Sequence, residues 1–194
     1  MRFLIILILA ASSTLPVSAQ APEEYQVFNT VIRNMFRGDA KDVDTGDLPA
    51  ILVISDRLIA DQAPWDDDAG KRLGKMSVSS ETIEDFQKRF GVQGKLVDSF
   101  DPGIKHVIVS SDMIRSFFKE KYDLEAGWNA YYKAFPGSGG YIGFSRVGFN
   151  KKKTEALLYF QHSCGSLCAS GYYLSLIKKN NTWQVKVRKM LWIS

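Results

Sequence analysis

Apolar residues fall at helical spacing through the first two thirds of this chain and at alternating positions after residue 141, so the pattern itself divides the molecule. Pro22-Glu23-Glu24 opens a helix, because proline suits the first helical position and carboxylates suit the positive end of the dipole. Phe28, Val31, Ile32, Met35 and Phe36 then share one face, and Gly38 is the expected C-cap. Asp39 to Asp47 reads as an acidic loop and Ala50 to Arg57 as a short buried strand. Ala60 to Val78, with Pro64 and Asp66-Asp67-Asp68, reads as a long surface loop. Ser79 or Ser80 can cap a helix that buries Ile83, Phe86 and Phe90 and stops at Gly91. Ile104 to Ser110 is a second strand. Asp112 is the expected cap of a helix over Met113 to Lys121, and Trp128, Tyr131, Tyr132 and Phe135 form the stripe of another, read as core packing.

From Tyr141 the period becomes two, and four strands follow: Tyr141 to Phe149, Thr154 to His162, Gly171 to Lys178 and Thr182 to Ile193. Asn180-Asn181 predicts a tight hairpin, since asparagine tolerates the positive φ of a two-residue turn. Ala156, Leu158 and Phe160 alternate with Leu157 and Tyr159, which predicts a strand buried on both faces. In the last strand Trp183, Val185 and Val187 should point one way and Gln184, Lys186 and Arg188 the other. The expected fold is α+β: N-terminal helices on one side of a mainly antiparallel sheet that ends in a four-stranded C-terminal meander.

Residues 1–19 stand apart. Arg2, the apolar run Phe3 to Ala11 and Val17-Ser18-Ala19 form the pattern of a cleaved signal peptide, and the run is well short of the roughly 20 residues that span a bilayer. Residues 20–194 then form a single exported domain, periplasmic or secreted, with no membrane insertion after cleavage. The formal net charge of +4 is mild, and Lys151-Lys152-Lys153 is the longest basic run, so no nucleic-acid partner is expected.

Trp128, Tyr132, Phe135-Pro136-Gly137-Ser138, Ser145-Arg146-Val147-Gly148-Phe149-Asn150, Glu155-Ala156-Leu157, Gly171-Tyr172-Tyr173 and Trp183 form a further pattern. In these residues the C-terminal part of the chain resembles a group of uncharacterised exported bacterial proteins. The resemblance implies export and no particular activity.

Candidate chemistry concentrates in Gln161 to Cys168. In an exported protein Cys164 and Cys168 are expected to form a disulfide, which requires the chain to turn at Gly165-Ser166. The alternative is a metal site of His162, Cys164 and Cys168 with an open position for water. His106 reads as a hydrogen-bonded sheet residue, and Ser145, with Gly143 before it, lacks the second glycine of a nucleophile elbow. Arg146 interrupts an apolar strand and must either emerge into solvent or meet a carboxylate, with Glu155 the candidate; the functional alternative is an anion-binding arginine in a sheet-lined cavity. Tyr172, Tyr173, Lys186, Arg188 and Trp192 are the expected surface for an unidentified protein or small-molecule partner. The function expected is a non-catalytic binding or interaction module without a cofactor. The alternative is a small metal-dependent or hydrolytic enzyme built on His162, Cys164 and Cys168.

Overall fold

A computed structural model describes residues 22–37, 49–61, 69–119 and 123–194. The signal segment, the Gly38 cap, the acidic loop at 39–47, Asp66-Asp67-Asp68 and Lys121 lie outside the described residues. In chain order the elements are α1 (Pro22–Phe36), β1 (Ile51–Ser55), α2 (Ala69–Gly74), α3 (Ser80–Phe90), β2 (His106–Val109), α4 (Ser111–Ser116), α5 (Leu124–Ala134), β3 (Ser138–Phe144), β4 (Gly148–Phe149), β5 (Glu155–Ser163), β6 (Ala169–Lys179) and β7 (Thr182–Ile193).

The fold is α+β. A seven-stranded sheet runs in the order β2-β1-β3-β5-β6-β7, with β4 paired to β5. The strands β5, β6 and β7 form the antiparallel meander, and the Asn180-Asn181 turn takes the expected positive φ at both residues. The other end of the sheet is parallel, with β1 between β2 and β3. Alternation along a strand states which residues share a face but not which strand lies alongside, and so this mixed character is not in the period.

Helices cover both faces rather than one. Leu52 and Ile54 of β1, Ile142 and Phe144 of β3, and Ala156, Leu158 and Phe160 of β5 pack under Phe28, Val31 and Ile32 of α1. The intervening residues face the other way. Val53 joins Ile114, Tyr131 and Trp128 of α4 and α5, while Leu157, Tyr159 and Tyr173 join Phe86 and Phe90 of α3. Leu73 and Met76 close this second cluster, so part of the segment expected as a surface loop is the helix α2 and the turn after it, which bury these two side chains.

Local chemistry sets the helix ends. Ser79 caps α3, and Glu155 accepts hydrogen bonds from the Ser79 amide at 2.9 Å, the Ser79 hydroxyl at 2.6 Å and the Thr82 hydroxyl at 3.0 Å. Burial alone would raise the Glu155 pKa; these hydrogen bonds hold it below its ordinary value. Ser110, not Asp112, caps α4. The expected first strand of the C-terminal half divides into β3 and β4, because Ser145-Arg146-Val147 leaves the ladder. Gly148 is where α3 presses on β4: a β-carbon there would stand 2.4 Å from the Phe86 backbone.

Candidate functional site

The cysteines form the expected disulfide, Cys164–Cys168, with Cα atoms 5.1 Å apart. His162 lies beside it, its Nδ1 3.9 Å from Cys164 Sγ, while its Nε2 meets the Gly139 carbonyl oxygen at 2.6 Å. Burial lowers the His162 pKa, and the hydrogen bond to Gly139 opposes that shift only in part. Disulfide sulfurs are not thiolates, so the metal alternative loses two of its three ligands. Among the described residues no group of three or more His, Cys, Asp and Glu side chains could hold a metal ion. His106 bridges the Ile104 carbonyl and Asp98, both at 3.1 Å, as a sheet histidine would.

Arg146 meets Glu24 of α1 at 3.1 Å, not Glu155. Glu24 also accepts from the Val147 amide at 3.1 Å and pairs Arg89 at 3.3 Å. This arginine is therefore held inside the molecule by a carboxylate that lies far off in sequence.

The remaining residues expected on one surface are divided between the two faces of the sheet. Tyr172 packs in the α1 cluster with Arg188 above its ring at 5.9 Å, and Arg188 reaches Met35 Sδ at 3.8 Å. Tyr173 is buried in the α3 cluster, Lys186 donates to the Ser77 carbonyl at 2.5 Å, and Trp192 donates to the Tyr159 hydroxyl at 2.9 Å. The physical reason is a register shift between Ser175 and Leu176, opposite Val187 and Val185. An extra residue there changes which face each later side chain occupies, and Val187 joins the α3 cluster while Val185 joins that of α1.

A different site emerges on the face away from α1, between the α3 cluster and the α4–α5 cluster. Its floor is Tyr141 and Gly143 of β3 with Gln161 of β5, Gly143 and Gln161 being direct cross-strand partners. Tyr141 is steadied by stacking on Trp128, ring centroids 5.9 Å apart. Gly143 leaves room that a side chain would fill: a β-carbon would come within 3.0 Å of Ile59 Cδ1. The resulting groove has a volume of about 650 Å³.

The wall is built by the chain leaving β1. Asp56 N donates to the Val109 carbonyl at 2.9 Å, Leu58 N to Gly94 at 3.0 Å and Ile59 N to Phe144 at 2.8 Å, so this segment is tied to three neighbours. Asp56 is buried, and its carboxylate accepts from the Ser111 amide at 2.8 Å and meets Lys95 Nζ at 3.2 Å. The pairing joins the exits of β1 and β2. Arg57 pairs with Asp112 at 3.0 Å, and Arg115 pairs with the same carboxylate. The Arg115 hydrogen bond, then the Arg57 charge, holds the Asp112 pKa below its ordinary value.

Among the described residues Arg57, Lys95 and Arg115 line the groove against one lining carboxylate, Asp61, with Ser55, Gln93, Ser111 and Gln161 as neutral hydrogen-bonding groups. No histidine or cysteine lines it. In comparisons with family models, curated proteins and solved structures, nothing matches this chain. Of the segment singled out from the sequence as chemical, Gln161 alone lines the groove, and none of the expected cysteine, histidine or partner-surface residues does. The one local signal for it was Gly143, a missing side chain between the bulky Ile142 and Phe144.

Proposed function

We propose that this chain is an exported, non-catalytic binding protein, periplasmic or secreted, that takes a small organic anion in the groove over Gly143. The observation that carries this reading is the groove, about 650 Å³ and lined by three cations against one carboxylate. Its size is that of small-molecule sites, and it lies by the carboxyl ends of the parallel strands β1 and β2, where ligands of such sheets commonly sit. Arg57 and Arg115 are held by exposed ion pairs to Asp112, which are weak and exchange readily for a ligand's carboxylate or phosphate.

Export is supported by the segment at 1–19 and by the disulfide, which persists in an oxidising compartment. Among the described residues no helix is long and apolar enough to cross a membrane. Binding without turnover is supported by the engagement of Asp56. As the base nearest Ser111 and Ser55, it already accepts the Ser111 amide and pairs with Lys95.

Titrating the purified protein with benzoate, citrate, acetate and inorganic phosphate, with benzamide as neutral control, tests the ligand reading. Backbone amide shifts at Gly143 and Gln161 are expected with at least one anion, weakened roughly tenfold in the Arg57→Gln, Arg115→Gln variant. Equal binding of benzamide, or no shift with any anion, would overturn it. N-terminal sequencing of the exported protein should begin at Gln20, and retention of the uncleaved precursor in the cytoplasm would overturn export.

A further inference from the structure

The sheet has two ends, and they are built differently. At one end β2 is four residues long, the short edge by which proteins commonly avoid unwanted strand pairing. At the other end β7 runs for 12 residues with neither proline nor glycine, and among the described residues it pairs only with β6. At roughly 3.4 Å per residue its outer side carries about 40 Å of backbone N–H and C=O groups that no strand takes up among the described residues. The register shifts in the β6–β7 ribbon twist this edge without interrupting it.

The charge along the edge has one sign. Lys186, Arg188 and Lys189 lie at its centre, and no carboxylate side chain occurs from Thr182 to Ser194. Among the described residues none of the three pairs with a carboxylate: Lys186 is on the Ser77 carbonyl and Arg188 on Met35 and Tyr172. Met190 and Ile193, beyond the cations, are 49% and 70% exposed.

These features select among occupants. A second copy pairing antiparallel about the strand centre, in a register that keeps each side chain on its own face, would set Arg188 opposite Arg188 and bring like charges together. A polyanion could meet the charges but would leave the row of backbone donors and acceptors unread. We propose that the free edge of β7 docks an extended, carboxylate-bearing strand of a partner protein, with its acidic side chains on the α3 face beside Lys186 and Lys189 and its apolar ones on the opposite face beside Met190 and Ile193. Main-chain hydrogen bonds would supply the attachment and the alternating side chains the selectivity. This site is separate from the groove and does not depend on it.

The test uses the whole protein and a capped synthetic peptide of about ten residues alternating glutamate and threonine and ending in two valines. A control peptide of the same sequence carries N-methyl groups at alternate residues, keeping the charge and removing the edge hydrogen bonds. Slowed amide exchange confined to β7 is expected with the first peptide and not with the second. Lys189→Gln should weaken binding roughly threefold, and Lys186→Gln with Lys189→Gln roughly tenfold. Lys189 is exposed and carries no ion pair among the described residues, so its single variant keeps the test decisive if the double variant misfolds. Equal binding of the N-methylated peptide would reduce the site to a charge effect and overturn the proposal. So would no binding at about 1 mM peptide, or β7 protection in the protein alone that grows with concentration as a dimer forms.

Discussion

Glu24, in the first turn of α1, meets Arg146 at 3.1 Å across 122 residues of chain, and both side chains are buried. The same carboxylate takes the Val147 amide and pairs with Arg89 of α3. One acidic group therefore closes the gap where the chain leaves β3 and re-enters at β4, and it joins helices on the two faces of the sheet. Such a group is costly to remove singly, because what remains is a buried guanidinium without its counter-charge.

Glu24→Ala should therefore lower unfolding free energy by about 3–5 kcal/mol in a urea titration, and Glu24→Met with Arg146→Met should recover much of that loss. A Glu24→Ala cost under about 1 kcal/mol would show that water replaces the carboxylate and that the pair is not holding the break closed.

Gly148→Ala should destabilise by about 2–3 kcal/mol, since its new methyl group would stand 2.4 Å from Phe86 N and Cα, and helix backbone cannot turn aside as a side-chain tip can. Gly143→Ala meets only the movable end of Ile59, at 3.0 Å, and should be milder while narrowing the groove. Thermal melts of the two variants side by side check the order.

His162 is predicted to make stability pH-dependent. Burial lowers its pKa in the folded state, so below the ordinary value of 6.5 the unfolded chain binds a proton more readily than the native one. The stabilisation is whole above about pH 6.5 and is lost as pH falls from there towards the lowered native value. The urea midpoint followed from pH 7.5 to 5 should fall in the wild type and fall less in His162→Gln; parallel curves would remove this assignment.

The disulfide closes a small ring, for which the loop-entropy estimate is about 2 kcal/mol, so Cys164→Ser with Cys168→Ser should cost about that much and leave the fold intact. Intact mass before reduction should fall short of the reduced chain by the two hydrogens that oxidation removes. A chelator should leave the melting temperature unchanged; bound zinc and free thiols in protein purified without chelator would instead restore the metal reading.

What the sequence determined by itself was whatever depends on near neighbours along the chain. The stripe of α1, the Ser79 cap of α3, the aromatic face of α5, the doubly buried β5 and the Asn180-Asn181 turn all follow from spacing, capping and allowed φ, which act over a few residues. The Cys164–Cys168 bridge belongs with them, because two cysteines four positions apart in a turn need only local geometry. Tertiary structure alone decided that Arg146 meets Glu24 rather than Glu155, that Leu73 and Met76 are buried, and that β1 lies between β2 and β3. It also decided that one register shift sends Lys186 and Arg188 to different faces, and that Arg57, Lys95, Arg115 and Gln161 converge on Gly143. Each of these rests on a long-range pairing, and a hydrophobic period states that a face is buried without stating what will cover it.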